Sequence, residues 1–501
     1  MSAKSLSEYP HATLHGSPPP GAKSKPATEH DPYGLIRSPG VIKSVDPATE
    51  AIIAEFSPLG EAELEERVLR AHTAFGPWRA LPIGSRTEIL VNAARILSSD
   101  GERHARLLTE EMGKTIRAAR DEVAKCARTL RYYAEHAADF LSDTEVAGGG
   151  RIAYQPLGVI LAVMPWNFPY WQVIRFAAPA LAAGNVALLK HASNVPRCAL
   201  ELERLFAEAG APAGGFQSLL VEVPAVSALI GDDRIAAVTL TGSEAAGRAV
   251  ARTAGEHLKK CVLELGGSDP FVVLADADVR EAARTAAMSR TINNGQSCIA
   301  AKRFIVERPI AAGFIAAFTD VVRSLRVGDP KDEKVDIGPL ATPHIRDEVA
   351  SQVVRTVAAG ARIATGGGVR AGRGYYFEPT VLLDVPLDSP AAVEEVFGPV
   401  APVFIADDAD HALAMANGTR FGLGANVWTT SDTLAERFAI ELEAGTVFIN
   451  GMVASDPRFP FGGIKKSGYG RELSVEGMRE FLNIKTIRRG TPQKTQQSRA
   501  E

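Results

Sequence analysis

Apolar and polar positions change rhythm along the chain. Between residues 43 and 141 the period is helical: Leu64, Val68, Ala71 and Phe75 fall on one face. The same spacing predicts a long helix from about Thr115 to Leu141. Gly148-Gly149-Gly150 interrupts it, and residues 151–156 read as a strand. From 158 onward apolar runs at 158–163, 186–190, 217–222, 236–240 and 261–265 alternate with helical stretches near 169–183, 195–209, 224–230 and 244–254. Apolar strands separated by helices predict a parallel sheet covered on both faces, an α/β fold. A second strand–helix series begins near Pro270 and ends near 477. No internal repeat is visible.

Both ends break the pattern. Pro18-Pro19-Pro20-Gly21 and its Ser/Lys/Pro surroundings lack periodicity, which predicts a disordered arm over 1–42; residues 491–501 read as a loose tail. The arm lacks the apolar core of a secretory signal, and no run of apolar residues reaches the ~20 that span a bilayer. Apolar residues make up 46% and charged residues 23% of the 501 positions, with a net charge of −4. That balance predicts neither nucleic acid nor a membrane surface as partner. The four cysteines form no CxxC and the ten histidines no HExxH, so no metal site is expected. Reduced thiols point to a cytoplasmic protein.

Candidate chemistry gathers where predicted strands end, the place at which open parallel sheets bind ligands. Trp166-Asn167, Lys190, Gly242-Ser243 and Glu264 all fall there. Cys298 follows Gly295-Gln296-Ser297 in the second series. Alone it reads as a buried structural thiol; with Glu264 and Asn167 it forms a nucleophile, a base and an oxyanion donor. A thiol adding to an aldehyde gives a thiohemiacetal, which becomes a thioester on losing hydride. Thr241-Gly242-Ser243 opens a helix, where free amides attract phosphate. Gly366-Gly367-Gly368 and Gly148-Gly149-Gly150 are read as turns, because neither lies between a strand and a helix.

With these residues assembled, the chain resembles the aldehyde dehydrogenase superfamily over about 43–490. Five motifs carry the likeness: Pro165-Trp166-Asn167, Leu263-Glu264-Leu265-Gly266-Gly267, Gly295-Gln296-Ser297-Cys298, Glu395-Val396-Phe397-Gly398-Pro399 and Pro460-Phe461-Gly462-Gly463-Ile464-Lys465-Lys466-Ser467-Gly468. Three further stretches, Lys190-His191-Ala192-Ser193-Asn194, Gly266-Gly267-Ser268-Asp269-Pro270 and 296–303, resemble bacterial succinate-semialdehyde dehydrogenases. The resemblance implies two Rossmann-like parallel-sheet domains. The dinucleotide-binding domain would span 43–141 and 158–264 and the catalytic domain 265–477. A small β oligomerisation arm, 142–157 with 478–490, would support a homodimer or homotetramer. It also implies Cys298 as nucleophile, Glu264 as general base and Asn167 in the oxyanion hole. Trp166, Lys190, Ser193, Gly242, Ser243, Leu265, Glu395 and Phe397 would surround the dinucleotide.

One departure bears on the cofactor. Many NAD-preferring relatives carry Glu three residues after the lysine; here the position is Ser193. A carboxylate would repel a 2′-phosphate and serine does not, so NADP is expected to be accepted, and even preferred, alongside NAD. For the substrate, Arg175 interrupts an apolar helix about two turns beyond Asn167. A buried arginine needs an anion, either a substrate carboxylate or an internal partner. Trp171 as a tunnel wall and Ser455 as a hydrogen-bond donor complete the expectation that succinate semialdehyde is oxidised to succinate. Glutarate semialdehyde or a neutral aliphatic aldehyde, transfer of the acyl group to CoA, and a catalytically silent structural relative are the alternatives. Glu264 argues against CoA transfer and the assembled trio against silence.

Overall fold

The computed structural model describes residues 40–489. The arm expected over 1–42 lies outside the described residues except for its last three positions, and the tail over 491–501 lies outside them entirely. Two sheets carry the architecture. The first has six strands in the order Gly468-Tyr469, Lys260–Glu264, Ile235–Thr241, Val159–Met164, Val186–His191, Phe216–Ser218. All its pairings are parallel except that of the edge strand, which sets Gly468 opposite Glu264. The second has seven strands in the order Arg362–Thr365, Thr380–Leu383, Val400–Ala406, Ala301–Glu307, Asp269–Val273, Gly424–Trp428, Thr446–Ile449, and only its Arg362–Thr365 edge runs antiparallel.

The strands that read as continuous apolar runs are those buried on both faces. Val159–Met164 lies mid-sheet, and Val186–His191 is buried at every residue. In the second sheet the alternation sorts cleanly. Val272 and Ile305 face one apolar cluster, while Phe271, Val273 and Phe304 face another. Helix Trp171–Ala183 is buried along its whole length and stops at Gly184, whose φ of 98° suits the left-handed C-cap. Helix Ile116–Phe140 packs one stripe inward and is capped by the Thr115 hydroxyl, which accepts from the Ala118 amide at 3.4 Å.

Three local outcomes differ from the pattern or sharpen it. Residues 43–141 are not wholly helical, because the segment opens with an antiparallel hairpin, Ile42–Asp46 with Ala51–Phe56, ahead of four helices. The apolar run 217–222 yields only the three-residue edge strand Phe216–Ser218. A separate sheet orders Leu482–Ile487, Arg151–Pro156 and Thr144-Glu145, with the Gly148–Gly150 turn joining the last two at positive φ. Among the described residues no helix is long and apolar enough to cross a membrane, and no cluster of His, Cys, Asp or Glu could hold a metal ion.

Candidate active site

The carboxyl ends of the first sheet face two segments of the second unit, residues 292–300 and 394–398. Between them lies a cavity of about 410 Å³ lined by Trp166, Asn167, Gly242, Ser243, Leu265, Cys298, Glu395 and Phe397, among others. Residues drawn from five separated stretches of sequence thus meet around one space.

Cys298 stands in the turn between a short 3-10 segment, Ile292–Gly295, and strand Ala301–Glu307. The turn is forced. Asn293 and Asn294 adopt left-handed φ of 55° and 59°, and Gly295 has φ 80°. A Cβ on Gly295 would lie 2.4 Å from the Gly398 carbonyl carbon, so only glycine lets the two segments close. Side chains hold the turn in place. Asn294 Nδ2 donates to the carbonyls of Gly113 and Pro339, both at 3.0 Å. Buried Arg290 donates to Gly295 O at 2.6 Å and Ala301 O at 2.9 Å. Buried Lys302 donates to Ser297 O at 3.0 Å and Cys298 O at 2.7 Å. Among the described residues the Cys298 amide has no protein acceptor. Burial pushes the Cys298 thiol up to about 12, against the opposing pull of Arg175 and Lys302.

Asn167 donates from Nδ2 to Gln296 O at 3.1 Å, and its carbonyl accepts from Asn293 Nδ2 at 2.7 Å. That ties the Trp166-Asn167 loop to the cysteine turn and leaves the second amide proton of Asn167 beside Cys298 in the shared cavity. Glu264 ends its strand behind this lining, 3% exposed, with neither carboxylate oxygen hydrogen-bonded. Burial holds its pKa well above the usual carboxylate range, reinforced by Glu472 and opposed by Arg175 and Arg471. Room for the carboxylate comes from Gly462, where a Cβ would sit 2.7 Å from Glu264 Oε1.

The cofactor residues divide between two cavities. Trp166 and Phe397 meet edge to face at 5.7 Å, beside Leu265. Leu265 in turn requires Gly247, where a Cβ would come within 2.6 Å. Ser243 caps helix Glu244–Glu256, its hydroxyl accepting from Ala246 N at 3.3 Å. The Gly242 amide is already given to Glu264 O at 2.9 Å, so it is the first amides of the helix itself that face the cavity unpaired. Glu395 accepts from Gly267 N at 3.1 Å and lies 3.4 Å from Lys302 Nζ. Lys190 and Ser193 line a second cavity, of about 270 Å³, whose other charged residues are Lys43, Glu50 and Glu222. The donor set fits a dinucleotide: helix amides for phosphates, a carboxylate for hydroxyls, a flat apolar wall for a ring.

The substrate expectations meet a correction. Arg175 is 1% exposed, and its Nε touches Oε2 of Glu472, itself buried; it also lies 4.8 Å over the Phe461 ring and donates to Thr241 Oγ1 at 3.3 Å. Its charge is met internally, so the salt-bridge alternative describes it, not direct capture of a substrate carboxylate. Trp171 and Ser455 do come together, around a residue that the sequence reading passed over. Lys125 Nζ lies 4.0 Å over the Trp171 ring and donates to Ser455 Oγ at 2.6 Å. Lys302 and Glu472 were passed over as well. Each looks like an ordinary charge until its neighbours are known, so no local signal marks them.

A profile of the aldehyde dehydrogenase family matches residues 36–487. The chain is 51% identical over 453 residues to succinate-semialdehyde dehydrogenase [NADP(+)] 1 of Mycobacterium tuberculosis, an alignment covering 89% of this chain and 99% of that one. It is also 51% identical over 449 residues to a probable succinate-semialdehyde dehydrogenase [NADP(+)] of Synechocystis, with the same coverage. The crystal structure of succinic semialdehyde dehydrogenase from Streptococcus pyogenes with NADP+ superposes with a TM-score of 0.88 at 37% identity, covering 90% of this chain and all of that one. Motifs, fold and cavity agree with these likenesses, and the chain belongs to the aldehyde dehydrogenase family.

Proposed function

We propose that this enzyme oxidises succinate semialdehyde to succinate with NADP, accepting NAD less well. The observation that carries the reading is the shared cavity: a thiol, an amide donor and dinucleotide-type contacts line one space, with an unpaired buried carboxylate behind it. Cys298 Sγ adds to the aldehyde carbon and its proton is lost. The oxygen that gains charge is met by the Asn167 side-chain amide and the Cys298 backbone N–H. Bound nicotinamide supplies the acceptor for the hydride that leaves that carbon, and the enzyme is left acylated at Cys298. Glu264, made more basic by burial, takes a proton from water; the resulting hydroxide attacks the thioester, releases the acid and restores the thiol.

Support for NADP comes from Ser193, which puts no carboxylate beside Lys190, and from the naming of the relatives. Support for a homo-oligomer comes from Leu482–Ile487, a sheet edge that leaves Ile484 61% exposed and its backbone open to pairing with a second copy. A cytoplasmic location is proposed on the reduced cysteines. A panel of succinate semialdehyde, glutarate semialdehyde and butanal, each with both cofactors and followed by absorbance of the reduced nucleotide, tests the reading. Succinate semialdehyde with NADP should give the highest kcat/KM. Preference for butanal, or strong preference for NAD, refutes it.

A further inference from the structure

Arg175 is neutralised by Glu472, so carboxylate recognition needs a different cation. Helix Ile116–Phe140 supplies one. Lys125 flanks its buried stripe, with the ammonium over Trp171 and against the Ser455 hydroxyl. Among the described residues no carboxylate lies within ion-pair distance of it. Only one of its three N–H groups is taken by Ser455, and a ring face accepts charge without using another.

The cluster is fastened to the active site. Glu122, one turn before Lys125, accepts the Tyr170 and Trp171 amides, both at 2.9 Å, and pairs with buried Lys114. This fixes the start of helix Trp171–Ala183 against the helix that bears Lys125. Four residues before Trp171 stands Asn167, and the next residue, Gln172, lines the cavity that holds Cys298. Arg175 acts electrostatically on both Lys125 and Cys298, so both lie within its reach.

We propose that Lys125, assisted by Ser455, binds the remote carboxylate of the substrate and thereby sets the preference for carboxylated over neutral aldehydes. The inference rests on the semialdehyde oxidation proposed above. An ammonium stripped of water and lacking a counter-ion gains most from an incoming anion. Burial, with Arg175 behind it, brings Lys125 down to about 8. The other charges that act on it are Glu122 and Arg128 on its own helix, along with the Cys126 thiol, and Asp456 beside Ser455. The unliganded lysine is therefore mostly charged at pH 7 and loses its charge above pH 8.

The test compares kcat/KM for succinate semialdehyde with that for butanal, which carries a methyl group where the semialdehyde has its carboxylate. In Lys125→Met the ratio should fall roughly 10- to 100-fold, mainly through KM for the semialdehyde. Lys125→Arg should recover most of it. In the wild type the ratio should decline as pH rises through 8, and in Lys125→Arg it should not. A general structural defect lowers both substrates together and leaves the ratio alone; that outcome, or an unchanged ratio in Lys125→Met, overturns the assignment. A wild type that shows no preference for the semialdehyde over butanal overturns the activity itself, and is recognised before any variant is made.

Discussion

Replacing Glu264 with glutamine should stop turnover and make the protein more stable. Glu264 is 3% exposed and neither oxygen has a hydrogen-bond partner, so its charge is desolvated without compensation. The uncharged amide removes that cost, although it too lacks partners, and the net gain should be about 1–3 kcal/mol. For a chain of this length a gain of that size raises Tm by only about 1–3 °C, so urea midpoints are the better measurement. The pH dependence is the sharper signature. Glu264 has a folded-state pKa above its unfolded value of about 4.3, so between the two the native state holds the extra proton and stability falls as pH rises. The advantage of Glu264→Gln should be absent near pH 4 and grow toward pH 8. Catalytically, deacylation should slow by about 10²- to 10⁴-fold, leaving a burst of one reduced nucleotide per active site and an acylated Cys298 visible by intact mass. A variant that is less stable than the wild type at pH 8, or whose advantage does not change with pH, would refute the picture of an uncompensated buried base.

Two further outcomes follow from the same geometry. Ser193→Glu adds a third carboxylate to the cavity that already holds Glu50 and Glu222, and should lower kcat/KM for NADP roughly 10- to 100-fold while sparing NAD; steady-state kinetics with both cofactors check it, and parallel losses would remove Ser193 from phosphate selection. Glu472→Gln strands the buried Arg175 charge and should cost about 3–5 kcal/mol, whereas the double variant Arg175→Met with Glu472→Met should recover much of the loss. Denaturation midpoints that add independently would show the pair to be uncoupled.

How far the sequence could be read depended on whether a feature's cause was local. Val159–Met164 and Val186–His191 were legible because burial on both faces demands unbroken apolar side chains. The hairpin strand Ala51–Phe56 was not, because it is mostly exposed and has no inward face to impose a period of two. At the site, Cys298, Glu264 and Asn167 were suggested by chemistry at strand ends and by motif. The role of Arg175 was left open between two anions, and the choice lay with Glu472, a residue far along the chain that only the fold places beside it. Lys125 reads on its helix as an ordinary solvated lysine. Its significance depends on Trp171 and Ser455, which arrive from two other parts of the chain.

The cysteine turn also shows why its neighbours are cations aimed at carbonyls. Arg290 and Lys302 are fully buried, and between them they take up the carbonyls of Gly295, Ser297, Cys298, Ala300 and Ala301. Occupying the oxygens fixes the peptide planes without spending the Cys298 amide, which stays available to a developing oxyanion. The same arrangement puts positive charge near a thiol that burial otherwise keeps protonated, and Lys302 is among the groups that ease its ionisation. Carboxylates in place of these cations could hold the turn only by accepting from its amides, which would consume the donor that the chemistry needs and raise the thiol further. The left-handed Asn293 and Asn294 follow from the same requirement, since an extended backbone there would carry the carbonyls away from both cations.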